Sequence, residues 1–356
     1  MKKLIVHISE VDINLEGGMA RVEYHWQNAF IKAGFVFLHI GPKQVGKLYH
    51  KFLFPYKAYR YFKSLNINPD AFLVHESASG CFTNRGIPCF VESHGVERRF
   101  WESTDKSSMS LKTRLLYPIW RLYNCDKGLN NADKLLLINS EDKDYVNSKY
   151  GRNNKDIFLF KNGINNIQKI YSNTNKIPFT ILFNGSWTER KGIRTLVKAA
   201  EILYKNNLNV TYLLIGTGKD EKTVILDWPE YLRSVVTVIP RFSQENENYF
   251  LQSSSLFVLP SFYEGQPLSL LQAMANGKCC LTTNCCGQKD IIIDGVNGLL
   301  FNPGDYLELS FLITKCYNNL INTDEIGKNA MQYTNNLSWD KVSHEVVQYL
   351  TENIVS

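Results

Sequence analysis

Short apolar runs of strand character alternate with segments of helical spacing along almost the whole chain, and few folds accommodate that order. The runs fall at Leu4–Ile8, Phe35–Ile40, Ala71–Val74, Cys89–Glu92, Lys134–Ile138 and Ile157–Phe160. A second series follows at Phe179–Asn184, Thr211–Ile215, Val235–Ile239, Leu256–Leu259, Cys279–Thr282 and Gly298–Phe301. Between them Met19–Lys32, Ile193–Tyr204, Pro267–Asn276 and Tyr306–Asn318 space their apolar residues as helices do. Parallel strands need a crossover between them, so this alternation predicts parallel sheets covered by helices on both faces.

With 356 residues, the chain exceeds what one ordinary core organises, and two doubly wound α/β domains are expected. The polar stretch Asn165–Lys176 reads as the linker between them. The expected division is therefore residues 1–165, residues 166–337, and a last helix over 338–356 that packs back on the first domain. In such sheets ligands bind beyond the carboxyl ends of the strands, so two of them facing a cleft would hold a substrate there.

Charge separates the halves. Residues 1–165 carry 24 Lys+Arg against 16 Asp+Glu, a balance of +8, which leaves 16 against 18, or −2, for the remainder. A basic first half suits an anionic partner or an anionic membrane surface. Segments 47–65 and 111–123 mix cations with aromatic residues, among them Lys112, Arg114, Trp120, Arg121 and Tyr123. They are read either as a peripheral membrane face or as helices packing their aromatics on the sheet. No apolar run is long enough to span a bilayer. The eight cysteines lack zinc-ligand spacing and read as buried free thiols of a cytoplasmic protein. No nucleic-acid motif accompanies the basic charge.

Several loops at strand ends carry candidate chemistry. Gly17-Gly18 opens a helix after the first strand, where backbone N–H groups can meet a phosphate. Asn184-Gly-Ser-Trp-Thr-Glu-Arg-Lys-Gly192 follows a strand and precedes a helix, offering Ser186, Arg190 and Lys191. Gly216-Thr-Gly218 and Pro240-Arg241-Phe-Ser243 end two further strands. His94 stands just beyond Cys89–Glu92. The richest loop is Pro260-Ser-Phe-Tyr-Glu264-Gly265-Gln266-Pro267, after which Leu268 and Ser269 begin a helix with Pro267 in its first turn. Its carboxylate and free N–H donors suit a ligand bearing hydroxyls and phosphate. No G-x-G-x-x-G is present, so a dinucleotide fingerprint is missing. Asp142-Lys-Asp144 falls in a helical segment rather than a glycine-rich loop and reads as surface charge, so no metal ligand set is expected.

Taken in order, these pieces resemble the retaining, nucleotide-sugar-dependent glycosyltransferases of the GT-B fold, family 4. The resemblance runs over nearly the whole chain and rests on Gly-x5-Lys-Gly at 185–192, Ile-Gly-Thr-Gly at 215–218, Pro-Ser-x2-Glu-Gly at 260–265, Ala-Met-Ala-x-Gly at 273–277 and Asp-Gly-x-Asn-Gly at 294–298. It implies that Glu264 contacts the hydroxyls of the transferred sugar and that Lys191 stabilises the departing diphosphate. It also implies that His94 positions sugar hydroxyls. Gly17, Gly18, Ser186, Arg190, Gly216, Gly218, Arg241, Gly265, Gln266, Leu268, Ser269 and Gln272 would line the donor site. Gln272 stands where the family carries a second glutamate for the ribose, and Ser186 where it often carries an arginine. Pro267 replaces a frequent glycine.

The resemblance implies transfer without metal or other cofactor, from a nucleoside-diphosphate sugar to a glycan or lipid-linked glycan, as in bacterial surface polysaccharide synthesis. The enzyme would be cytoplasmic, with peripheral contact to the membrane's inner face. Two alternatives share the architecture: a nucleotide-sugar 2-epimerase, and a binding-only relative suggested by Gln272 and Ser186.

Overall fold

In the computed structural model, residues 2–46, 48, 50–107, 109–165 and 178–354 are described. The chain divides into two compact units, one of Met1–Gly163 with Trp339–Ser356 and one of Ile164–Ser338. The linker read at Asn165–Lys176 lies, apart from Asn165, outside the described residues.

The first unit contains a parallel sheet of six strands: β1 (Leu4–Ile8), β2 (Val36–Ile40), β3 (Ala71–His75), β4 (Cys89–Ser93), β5 (Lys134–Leu137) and β6 (Ile157–Leu159). Their order across the sheet is β2-β1-β3-β4-β5-β6, so the winding reverses between β1 and β3. Strand β3 is apolar without alternation, Ala71 to Val74 all being fully buried, as expected of a strand covered on both faces. Phe62, from the helix Phe54–Ser64, and Phe82 meet Phe72 edge-on at 4.9 and 5.3 Å. Those edge contacts bring the quadrupoles of the rings together favourably as well as burying area.

Helix Trp339–Ile354 belongs to this unit although it ends the chain. Trp339 stacks on His25 of the helix Gly18–Lys32 at 4.2 Å, and Asp340 pairs with Lys32 at 3.0 Å. Gly163 lies under the same indole: a Cβ there would stand 2.5 Å from Trp339, so only glycine lets the chain pass.

The second unit repeats the theme with β7 (Phe179–Asn184), β8 (Val210–Ile215), β9 (Val236–Ile239), β10 (Leu256–Leu259), β11 (Cys280–Thr283) and β12 (Leu299–Phe301). Their order is β12-β11-β10-β7-β8-β9, all parallel. This is the dinucleotide-fold order, and its reversal falls between β7 and β10. Helix Ile193–Lys205 buries Ile193, Leu196, Val197, Ala200 and Leu203, one apolar stripe laid on the sheet. Among the described residues no helix is long and apolar enough to cross a membrane. Pro267 does not enter the first turn of its helix. It caps Leu268–Ala275 with extended backbone at φ −72°, ψ 118°, one residue before the position read from the sequence.

Truncating Phe72 to alanine removes the ring on which two others converge. The expected cost is about 3–5 kcal/mol, seen as a fall in the urea midpoint of the first unit's unfolding. A loss under about 1 kcal/mol would show that the aromatic cluster is not the unit's core.

Candidate functional site

The loops after β7, β8, β9 and β10 are tied into one rim at the carboxyl edge of the second sheet. Trp187 N–H donates to Thr217 O at 2.8 Å, and Gly218 N–H to Pro240 O at 3.1 Å. Phe262 N–H donates to Arg190 O at 2.8 Å. Positive φ at Gly216 (66°) and Gly218 (67°) turns the chain sharply there, a conformation that favours glycine. At Gly192 φ is 69°, and an added Cβ would fall 1.8 Å from Pro260 O, so the two loops touch backbone to backbone.

At the reversal point of the strand order stands the pair read from the sequence. Lys191 Nζ lies 2.6 Å from Glu264 Oε1, both side chains being about nine-tenths buried. Arg190 adds a contact at 3.4 Å to Glu264 Oε2 and donates to Tyr263 O at 2.8 Å. Burial pushes the Glu264 carboxyl up, but Lys191 and then Arg190 outweigh it and hold the pKa below the ordinary value. Arg190 is thus engaged with this loop rather than free to stand in for the arginine absent at Ser186, which is exposed.

Directly beyond Glu264 the helix Leu268–Ala275 begins. The first N–H used inside it is that of Leu270, to Pro267 O at 3.1 Å; those of Leu268 and Ser269, at the positive end of the helix dipole, meet no acceptor among the described residues. Gln272 is buried on this helix, and Asn165 N–H approaches its Oε1 at 3.5 Å, the limit of a hydrogen bond. Gly265 and Gln266 are half-buried beside it, whereas Arg241 is exposed in the loop after β9.

Support for this loop escaped the sequence reading. Thr283 Oγ1 donates to Ser261 O at 2.5 Å, and Gln288 Nε2 donates to Thr283 Oγ1 at 2.9 Å, both within a buried network under the loop. A Cβ on Gly287 would lie 1.6 Å from Gly265 O, so that position must be glycine for the loop to sit where it does. Only the short spacing from β11 hinted at these residues.

In the first unit His94 follows β4 and is packed between Trp26 and His75, each at 6.1 Å, with Phe160 edge-on at 5.3 Å. Burial first, then the nearby His75 and His7, lowers its pKa to about 3, so the ring is neutral near pH 7. Gly17 and Gly18 are exposed at the start of Gly18–Lys32, and a Cβ on Gly18 would meet nothing within 4 Å. No neighbour among the described residues demands glycine there.

Two expectations for this unit fail. Asp142 is fully buried, not surface charge: it accepts from Val96 N–H at 3.1 Å and pairs with Arg99 at 2.9 Å, pinning the chain just beyond His94. Spacing along the helix Ser140–Tyr150 could not reveal a partner over forty residues away. Arg121, read as part of a basic surface, is instead enclosed and holds Glu10 at 2.5 Å and Glu97 at 3.6 Å. The aromatic segments also separate. Phe54, Ala58 and Phe62 turn inward on their helix, whereas Leu111, Leu115, Ile119, Trp120 and Tyr123 are exposed. Lys47 and Tyr49 of the first segment lie outside the described residues. Seven cysteines are buried and Cys285 is half-buried; all are free thiols.

A sequence model of the family described as Glycosyl transferases group 1 matches residues 165–333. The second unit is a group 1 glycosyltransferase domain. Among curated relatives of the chain, an uncharacterised glycosyltransferase of Methanocaldococcus jannaschii is 27% identical over 59% of this chain and 57% of its own length. The UDP-Gal:α-D-GlcNAc-diphosphoundecaprenol α-1,3-galactosyltransferase of Escherichia coli is 24% identical over 62% of this chain and 58% of its own. The chain thus spans little more than half the length of these relatives. Sucrose-phosphate synthase from Thermosynechococcus elongatus superposes with a TM-score of 0.84 over 99% of this chain and 100% of its own, at 19% identity. The fold of the chain is accordingly GT-B, with a parallel six-stranded sheet in each unit.

The Glu264–Lys191 pair sets an acid sensitivity for the glycosyltransferase domain. A glutamate whose folded pKa is depressed stabilises the fold fully above its ordinary value of 4.5 and loses that contribution as pH falls through the folded value. The Tm difference between the wild type and Glu264→Gln should therefore shrink as pH is lowered from about 6 to about 3. A difference constant over that range would show that the carboxylate gains nothing from Lys191.

Proposed function

We propose that the chain is a retaining glycosyltransferase that moves a sugar from a nucleoside-diphosphate sugar to a glycan or lipid-linked glycan, in surface polysaccharide synthesis. The observation that carries this reading is the buried Lys191–Glu264 pair at the strand-order reversal, next to the unused N–H groups of Leu268 and Ser269. A carboxylate fixed by its own lysine is preorganised to accept from sugar hydroxyls. The same lysine and the helix start are suited to the negative charge that gathers on the β-phosphate as the glycosidic bond breaks. Leaving-group charge is then met by protein groups, without a metal. On the retaining route the acceptor hydroxyl attacks from the face the diphosphate leaves, and its proton passes to that phosphate. Loops 216–218 and 240–243 are assigned to the nucleoside. In the first unit, His94 as a neutral ring would position sugar hydroxyls, and the open Gly18 backbone would admit a phosphate.

Glu264→Gln and Lys191→Ala are each expected to lower transfer at least tenfold, about 1.4 kcal/mol or more in barrier. Initial rates with a panel of UDP-, GDP- and ADP-sugars check this, against circular dichroism for folding. Near-normal rates in both folded variants would remove the assigned roles. A nucleotide sugar interconverted without any acceptor would instead establish an epimerase, and nucleotide binding without turnover a binding-only protein.

The acceptor side is proposed to work at an anionic membrane surface. Leu111, Leu115, Ile119 and Tyr123 are 70, 60, 65 and 57% exposed, and Lys112 and Arg114 are exposed among them. Apolar side chains flanked by cations are what an interfacial helix presents to anionic lipid. The E. coli relative's acceptor, by its name, is a diphosphoundecaprenol-linked sugar. Leu115→Asp combined with Ile119→Asp should abolish cosedimentation with phosphatidylglycerol vesicles while leaving nucleotide binding intact. Undiminished cosedimentation would exclude this face.

A further inference from the structure

Beneath His94 the first unit buries an unusual set of polar groups. Glu23 projects from the helix Gly18–Lys32, His7 from β1, His39 from β2 and Glu92 from β4. Glu23, His7 and Glu92 are fully buried. Each carboxylate has one oxygen satisfied. Ser9 Oγ donates to Glu23 Oε1 at 2.5 Å, and His7 Nε2 lies 3.0 Å from Glu92 Oε1. The other oxygens, Glu23 Oε2 and Glu92 Oε2, are buried without a hydrogen-bond partner among the described residues, and so is His94 Nε2. Glu92 Oε2 and His94 Nε2 are 3.9 Å apart.

Three unpartnered polar atoms at one place, two of them carboxylate oxygens, call for a common partner. Among the described residues, no lysine or arginine stands within ion-pair distance of Glu23 or Glu92. Two carboxylates so buried are costly unless protonated or matched by positive charge. Imidazole nitrogen is the commonest metal ligand among side chains, and the buried His94 Nε2 faces these carboxylates.

We propose that Glu23, Glu92 and His94 form a binding site for one divalent transition cation of zinc's class. Donor atoms of the three lie within 4.8 Å of one another. At zinc–ligand bonds of about 2.0–2.2 Å, tetrahedral donor pairs lie roughly 3.3–3.6 Å apart, so each side chain has to move inward by at most about an ångström. Mixed imidazole and carboxylate donors suit zinc, manganese or iron rather than calcium or magnesium. A dication would neutralise both carboxylates at once. A second grouping, His7 and His39 with Glu23, shares the Glu23 carboxylate, but its two imidazoles already hydrogen-bond to each other at 2.9 Å. The ion therefore belongs with His94. With Nε2 on the ion, only the Nδ1 edge of that ring is left for another ligand, and the ring is held in one orientation. The leaving-group chemistry assigned to Lys191 does not involve this site.

The test uses the full chain, stripped with chelator and dialysed against Zn²⁺ or Co²⁺. One equivalent of metal per chain is expected by elemental analysis, with a cobalt absorption band of low-coordinate nitrogen–oxygen ligation. Glu23→Gln and Glu92→Gln should each weaken zinc affinity at least tenfold, while His344→Ala, which removes an exposed imidazole elsewhere, should leave it unchanged. Should either carboxylate variant misfold, the wild-type stoichiometry and cobalt spectrum still decide. The proposal is overturned if the stripped wild type takes up no metal, if both folded Gln variants bind zinc as well as wild type, or if His344→Ala removes the ion.

Discussion

The contact between Lys191 and Glu264 is the constraint around which the second unit is organised. A carboxylate this buried remains charged only because an ammonium 2.6 Å away and a guanidinium beyond it offset the loss of water. For the two to meet, the loops after β7 and β10 must come into backbone contact, and they do so where Gly192 lies against Pro260 O. Strands β7 and β10 are neighbours because the sheet reverses its winding between them. The pair, the glycine and the strand order are therefore one arrangement seen at three scales.

The same logic explains why the residues under the loop are polar yet buried. Thr283, Gln288 and the backbone of Ser261 form a closed hydrogen-bond set that fixes the turn from below. Gly287 lets the neighbouring helix approach Gly265 without a side chain between them. Such a base keeps Glu264 in place without further ion pairs, so its carboxylate needs little rearrangement to receive a hydroxyl-bearing ligand.

The first unit solves a different problem. Its charged groups hold the segment after β4 from several sides: Asp142 from the helix Ser140–Tyr150, Arg121 through Glu10 and Glu97, and Glu76 through Ser93 Oγ at 2.6 Å. Burial raises the Glu76 pKa to about 8, an environment in which a carboxyl persists only with such donors around it. Polar groups that would be surface decoration on an isolated helix become fasteners once the sheet is assembled.

Periodicity alone carried the twelve strands to within a residue or two, because period-two and continuous apolar runs are local properties of the chain. The loops that carry Glu264 and Lys191 were legible too, since glycine-bearing strand-to-helix loops announce themselves by spacing, but the ion pair between the two residues was not. What spacing could not provide was partnership across distance. The burial of Asp142, the enclosure of Arg121, the glycine demanded at 287 and the meeting of Glu23 with Glu92 and His94 depend on which elements become neighbours. That adjacency is set by the strand order of each sheet, a property of the packed whole that no segment holds by itself.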